Sequence, residues 1–347
     1  MTKWNSDLGS LSSLPYACTP RIRFMPKISI ITPCYNSESF IGATIESVRN
    51  QTFADWECIV VNDGSTDSSE DTVGSYLKLD QRLQLLNQPN GGVCKARNNG
   101  FKAASPDSEY LLFLDADDCL EAAMLETLSK YLDSHPEVGL VYSDHTYIDS
   151  QGEFINASDH GIVWSQRYVP TRWGIRTLEP DEAETPFCSV FTLAGLVPSM
   201  SLIRRSVFET SGGFDEEFGQ HYEETDLFLR MVLNTRFHYL PQKLVRHRRH
   251  PAQSTAHTEK FARQEIKLYS TWANVGHLPK QQQDVVKHAQ WFREHRMGPF
   301  SGFAATRRHL KRREWALASR FFIGALRRYR LLYSTSSFLS GDIPRST

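Results

Sequence analysis

Several familiar signatures are missing from this 347-residue chain. Its six cysteines (Cys18, Cys34, Cys58, Cys94, Cys119, Cys188) form no C-x-x-C pair. A chain this long needs no disulfide framework to fold, and reduced thiols in a cytosolic protein are the expectation. There is no uninterrupted apolar run of about 18 residues, so no span through a membrane is expected. The N-terminus shows no basic-then-apolar leader, and Cys18 follows Pro15-Tyr16-Ala17 without the apolar stretch of a lipoprotein site. No Gly-Lys-Ser/Thr P-loop and no G-x-G-x-x-G after the first strand-like run are present, which argues against kinases, GTPases and the usual NAD enzymes. Internal repeats and low-complexity tracts are also lacking.

Net charge is nearly absent too. Thirty-nine Lys and Arg face forty Asp and Glu, which disfavours bulk nucleic-acid binding. The balance hides a separation. Residues 301–347 hold ten basic and two acidic residues, leaving an acidic body and a basic tail.

What the chain does have is rhythm. Short apolar, β-branched runs recur at Ile28–Thr32, Glu57–Val61, Leu83–Asn87, Tyr110–Leu114 and Gly139–Ser143. Amphipathic segments lie between them, at Ser37–Asn50, Ser68–Leu79, Val93–Ala104 and Glu121–Ser134. Ser37 reads as a helix start, and Asp118 with Glu121 as a capping box. The spacing predicts βαβ units in a mostly parallel sheet, with any ligand at the carboxyl ends of the strands. After about residue 145 the pattern loosens. A helix is expected at Glu223–Leu233, residues 259–295 read as polar and helical, and Arg307–Tyr333 reads as a basic amphipathic helix.

Polar clusters sit just past the first four strands: Pro33-Cys34-Tyr35-Asn36, Asn62-Asp63-Gly64-Ser65-Thr66-Asp67, Asn90 to Asn98, and Asp115-Ala116-Asp117-Asp118. Each alone is ordinary turn chemistry. Four on one edge point to a ligand site. Asp115-x-Asp117 at a strand end can share a hard divalent cation, with other positions left to water and phosphate. Glu223, Glu224 and Asp226 open a helix, where its dipole favours acids; they read either as plain N-terminal capping or, with a carboxylate pointing into the cleft, as a general base. His247 and His250 lie in a basic stretch. A histidine beside a carboxylate-held cation is a credible third ligand, and the arginines around it could hold phosphate.

Five ordered motifs spanning residues 27–255 resemble glycosyltransferase family 2, the inverting enzymes of GT-A fold. They are ISIITPCYNSESF…CIVVNDGSTDSS, NGGVCKARNNG, LLFLDADD, GGFDEEF…YEETDLFLR and VRHRRHPAQS. The resemblance implies a Rossmann-like nucleotide-sugar-binding half (27–145) and an acceptor-side half (146–255). They are preceded by an irregular lead (1–26) and followed by a helical C-terminal region (256–347). It implies that Pro33, Tyr35 and Glu38 line the nucleotide pocket, that Asp63 bonds the base, and that Arg97 lies against nucleotide or phosphate. Asp115 contacts ribose or metal, Asp117 is the main ligand of Mn²⁺ or Mg²⁺, and His250 fits the late histidine better than His247. The family's base is the second acid of a Glu-Asp pair, a position held here by Glu224, with Glu223 as the fallback.

The activity so implied is single-displacement transfer of a sugar, with inversion, from a nucleotide-sugar donor, typically uridine diphosphate-linked. The acceptor is a carbohydrate or lipid-linked hydroxyl, in bacterial polysaccharide, lipopolysaccharide or other glycoconjugate synthesis. A weak or inactive nucleotide-sugar-binding relative is the alternative. A nucleotidyltransferase is disfavoured because TPCYNSES has no Gly-rich activating loop. Residues 303–333 read either as a terminal helix whose aromatics dock on the body or as an interfacial helix in peripheral contact with an anionic membrane at the inner face. Trp164 and Trp173 in 151–200 read equally as acceptor-side aromatics and as core packing. The three cysteines near the cleft, Cys34, Cys94 and Cys119, read as packing residues.

Overall fold

A computed structural model describes residues 25–155, 168–171, 174–179, 181–193, 196–219, 221–251, 253, 258–276 and 278–292. Trp164, Trp173, Ser254 and residues 303–333, expected from sequence to form a basic helix, lie outside the described residues. The N-terminal half runs β1 (Ile28–Cys34), α1 (Ile41–Arg49), β2 (Trp56–Asp63), α2 (Ser69–Leu77), β3 (Leu83–Gln88), α3 (Val93–Ala103), β4 (Tyr110–Phe113), β5 (Cys119–Leu120), α4 (Met124–Ser134) and β6 (Val138–Ile148). All five expected strands and four expected helices are there, displaced by a few residues at their ends. Beyond them come β7 (Phe154–Ile155), β8 (Tyr168–Thr171), β9 (Gly174–Thr177), α5 (Phe187–Leu193), β10 (Ser201–Arg204), α6 (Arg205–Ser211), α7 (Glu223–Val232), β11 (Arg236–Arg248), α8 (Thr258–Ala273) and α9 (Lys280–Phe292).

The main sheet has the order β3-β2-β1-β4-β10-β6-β11-β5, with β7 on the edge of β6. β3, β2, β1 and β4 are parallel, and so are β6 and β11. β10 lies antiparallel between those two blocks. The sheet is therefore mixed, more so than the strand–helix rhythm suggests. β1 and β2 are covered on both faces, which is why they read as continuous apolar runs rather than alternating ones.

Two expected helix starts are placed otherwise. Ser37 accepts the N–H groups of Phe40 and Ile41 through its carbonyl and closes a turn ahead of α1, which begins at Ile41. Asp118 and Glu121 form no capping box, because Cys119–Leu120 is a strand paired with β11 and α4 starts only at Met124. The basic stretch before His250 is the end of β11, the longest strand, whose parallel pairing with β6 carries it back to the carboxyl edge.

α3 lies directly on β1 and β2. A Cβ on Gly100 would stand 2.4 Å from Ile31 Cγ2 and 2.9 Å from Val61 Cγ2. Gly100→Ala is therefore expected to destabilise the fold by about 1–3 kcal/mol through overpacking, read as a lower urea midpoint with an unchanged slope.

Candidate functional site

The carboxyl ends of β1, β2, β3 and β4 present four loops that bond to one another before any ligand is considered. Asn36, in the left-handed region at φ 48°, receives the Thr66 N–H on Oδ1 at 2.8 Å and donates its own N–H to Ser65 Oγ. Glu38 accepts the Ser68 N–H at 2.8 Å while Asp67 accepts the Glu38 N–H at 3.0 Å. Hydrogen bonds from Ser69 and from backbone N–H groups hold Asp67 below the ordinary carboxylate range, against a raising effect of burial. Gly64, at φ 71°, leaves room for the third loop, since a Cβ there would meet the Asn90 backbone nitrogen at 2.8 Å.

Asp63 is buried and serves that third loop. Its oxygens accept the N–H groups of Gly91 (2.7 Å) and Gly92 (2.8 Å) and the Gln88 amide (2.8 Å). Tyr35 is the opposite case, half exposed (51%) at the end of β1, while Pro33 is partly covered. The expected nucleotide pocket thus has one open aromatic wall, with Asp63 and Glu38 bracing the loops around it.

Asp115 to Asp118 follow β4, and their carboxylates have different partners. Asp115 receives Arg97 Nη2 at 2.7 Å and donates its backbone N–H to Ser199 Oγ at 3.1 Å. Burial, with the charges of Asp118 and Asp117, pushes its carboxyl up to about 6 against the pull of Arg97. Asp117 Oδ2 lies 3.0 Å from His250 Nε2, and the His250 ring packs on Phe40 with centroids 4.5 Å apart. Asp118 has no exposed surface; it binds His247 Nδ1 (3.1 Å) and accepts the Arg248 N–H (3.0 Å).

The two histidines are thereby separated by role. His250 stands on the open carboxylate and His247 on the buried one. Nor is Arg248 free for phosphate. It is buried, bonding the Asp117 carbonyl through Nε at 2.8 Å and the Asp149 carbonyl through Nη1 at 2.9 Å. Arg246 pairs with Glu121 at 3.2 Å, and Arg249 lies over Tyr147.

Among the described residues no group of three His, Cys, Asp or Glu side chains stands together as a metal cage. Asp117 and His250 do offer one carboxylate and one imidazole at the sheet edge. That donor set suits a cation whose remaining positions go to water and diphosphate, the usual arrangement for Mg²⁺ and Mn²⁺ at nucleotide sites.

α7 brings the remaining acids. It is entered through two consecutive residues in the left-handed region, His221 (φ 83°) and Tyr222 (φ 64°). Neither is glycine, so this entry carries strain of the kind found at functional sites. Glu223, buried at the first position, meets Arg97 Nη1 at 3.1 Å. Arg97 itself is buried under Phe214 and reaches the donor-side Asp115 with its other nitrogen. Glu224, half-buried, is raised well above the ordinary carboxylate range, by burial first and then by the charge of Glu223, with Arg97 opposing.

The cysteines near the cleft are inert packing groups. Cys34, Cys94 and Cys119 are buried, and burial pushes Cys34 up to about 11 and Cys94 to about 12. The supporting residues Gln88, Ser199 and Phe40 carry no local sequence signal. Only tertiary pairing identifies them.

With the geometry in place, the comparisons agree on one family. The model of glycosyl transferase family 2 matches residues 29–212, and the chain belongs to that family. The glycosyltransferase EpsJ of Bacillus subtilis is 43% identical over 106 residues, 30% of each chain. The chain spans about 30% of the length of that relative and of EpsH from the same organism. Two solved structures share the GT-A fold. Staphylococcus aureus TarS 1–349 with UDP-GlcNAc aligns at TM-score 0.58 and 18% identity, over 90% of this chain and 92% of that one. The mannosyltransferase PcManGT of Pyrobaculum calidifontis, with GDP-Man and Mn²⁺, aligns at TM-score 0.59 and 17% identity, over 91% and 80%.

The Asp118–His247 pair yields a pH-dependent stability. Asp118 is held below its ordinary 3.8 because His247, Ser199 and the Arg248 N–H together outweigh burial; this contribution is present above 3.8 and is lost as pH falls through the depressed value. Against burial, Asp118 raises His247 above its ordinary 6.5; that contribution is full below 6.5 and is lost as pH rises through the raised value. The stabilisation is therefore greatest between about pH 3.8 and 6.5. Asp118→Ala is expected to cost about 3–5 kcal/mol there, shrinking on both sides, as read by urea unfolding across pH.

Proposed function

We propose that the chain transfers a sugar from a nucleotide-sugar donor, of uridine diphosphate type, to a hydroxyl of a carbohydrate or lipid-linked acceptor, with inversion. The observation that carries this reading is the convergence at one sheet edge of the Asp117–His250 pair with the Glu223–Glu224 acids. One guanidinium, Arg97, touches both Asp115 and Glu223, so donor-side and base-side carboxylates lie within a single side chain's span. Nucleotide sugars in two structures of the same fold, one with Mn²⁺ beside it, support the donor class and the cation.

Tyr35 offers an aromatic face to the base, and the loops braced by Asp63 and Glu38 hold the nucleotide. Asp117 and His250 would hold Mn²⁺ or Mg²⁺, with Asp115 beside them. When bound, that cation neutralises charge developing on the leaving diphosphate. Glu224 takes the acceptor hydroxyl proton as that oxygen attacks the anomeric carbon. A carboxylate raised toward neutrality is a better-matched base than an ordinary one. The thiols of the cleft, buried and raised, have no part in this displacement.

Membrane contact through residues 303–333 is proposed from sequence alone, as a means of reaching a lipid-linked acceptor. No helix among the described residues is long and apolar enough to cross a membrane.

The test is sugar release or transfer from a panel of nucleotide sugars with Mn²⁺. Asp117→Ala should lower turnover by about 10²-fold or more, in line with the loss of one group that stabilises developing charge. His250→Ala should weaken Mn²⁺ dependence first, seen as a higher metal concentration for half-maximal rate. Metal-independent, undiminished transfer by Asp117→Ala would falsify the assignment.

A further inference from the structure

Arg97 is the least expected residue of the site. The family resemblance implies a contact with nucleotide or phosphate, and the residue is 3% exposed. Both of its terminal nitrogens are taken up by carboxylates from distant parts of the chain, Asp115 after β4 at 2.7 Å and Glu223 of α7 at 3.1 Å. The Phe214 ring lies 5.0 Å from the guanidinium carbon. A charge this deep is maintained only by opposite charges, so the strut needs both acids ionised.

Glu223 is correspondingly particular. One oxygen meets Arg97, whereas the other, Oε2, is buried and receives no hydrogen bond from the donors around it. A buried carboxylate oxygen without a donor is costly. The neighbouring group able to carry a proton is the carboxyl of Glu224, the next residue of α7, which burial and the charge of Glu223 raise above the ordinary range. Two adjacent acids with one proton between them titrate as a pair, and the partner tied to a guanidinium is the one that stays charged. The ionisable groups facing Glu224 are Glu223 on its own helix and Arg97 and Cys94 on α3, with Asp215 facing Cys94 from the loop ahead of α7.

We infer that Arg97 and Glu223 act together as positioning residues: the guanidinium fixes Glu223 as an ion and ties it to Asp115, which leaves Glu224 as the carboxyl that exchanges the proton. The inference rests on the transferase reading above and deepens it. In the transfer step the acceptor oxygen forms its bond to the anomeric carbon. The bond to the diphosphate breaks with its electron pair leaving on the phosphate oxygen, and the hydroxyl proton passes to Glu224 and then to solvent. Because the same guanidinium holds Asp115, occupation of the donor side and readiness of the base are joined through one side chain.

The experiment compares wild type, Glu223→Gln, Arg97→Gln and Arg97→Lys by two readouts. The first is the pH profile of kcat/KM for transfer. The second is the carboxyl titration of protein labelled with ¹³C at glutamate Cδ, with the Glu224 signal assigned by Glu224→Gln. Removing the like charge in Glu223→Gln should move the acidic limb and the Glu224 midpoint down by about one pH unit. At a pH one unit below the wild-type midpoint, where the ionised fraction rises from about a tenth to a half, that is about a fivefold relative gain. Removing the guanidinium in Arg97→Gln should move both up by a similar amount. Arg97→Lys keeps a charge without the fork, covers the case in which the Gln variant does not fold, and should fall between wild type and Gln.

Variants that share a lowered plateau with an unmoved limb and unmoved midpoint would overturn the inference and leave Arg97 a structural strut. A raised donor KM alone, with the limb in place, would overturn it in favour of direct donor contact. The titration needs no turnover, so the two readings fail separately. Shifted midpoints without transfer from any donor would count against the transferase, and transfer with static midpoints against the coupling.

Discussion

The site depends on a carboxylate that no ligand reaches. Asp118 is fully buried, and it pins the loop after β4 to the end of β11 through His247 and the Arg248 backbone. Together with the β5–β11 pairing, that attachment brings Asp117 and His250, from segments more than a hundred residues apart, to 3.0 Å. Taking an ion pair out of water is costly, and one partner alone is costlier still. The interaction is therefore all or nothing, a suitable property for a joint that sets the position of two candidate metal ligands. Arg248 reinforces it from the same strand by holding the Asp117 and Asp149 carbonyls.

Acidic residues along one edge perform different work according to their surroundings. Asp63 organises a glycine loop, and Asp67 with Glu38 staples the first loop to the second. Asp115 and Glu223 are tied to one arginine. Asp117 faces an imidazole, and Glu224 retains its proton more readily than an ordinary carboxyl. Residue type alone would rank all of these as equivalent candidates. Burial and partners divide them into braces, struts and groups available to a substrate, so carboxylates along one sheet edge differ in how readily they hold a proton.

Much of the first half was legible from its sequence because the runs of β1, β2, β4 and β6 are buried on both faces and the strands are followed by loop chemistry at a fixed place. The DADD segment and the acids opening α7 could be read for the same reason. Other features were not. β10 is four residues long and β11 is a polar, arginine-rich strand, so neither carries an apolar period. Asp118 resembled a cap because D-x-x-E is a local pattern, whereas its partners come from residues 247 and 248. The resemblance placed Arg97 against nucleotide or phosphate, and nothing in its sequence neighbourhood announces its pairing with Glu223. What stayed hidden is pairing across long sequence distances, and that is where the site is assembled.

The antiparallel strand β10 sets an order on how the chain can fold. β4 and β6 are complete by residue 148, yet the positions between them in the sheet are filled only by Ser201–Arg204, and β6 gains its other long neighbour only with Arg236–Arg248. On a ribosome, two strongly apolar strand edges would wait for at least fifty further residues before being covered. Such contacts of long sequence separation slow folding, and uncovered edges invite pairing with other chains. The short strand that joins the two parallel blocks is thus also the gate through which synthesis must pass before either block is protected.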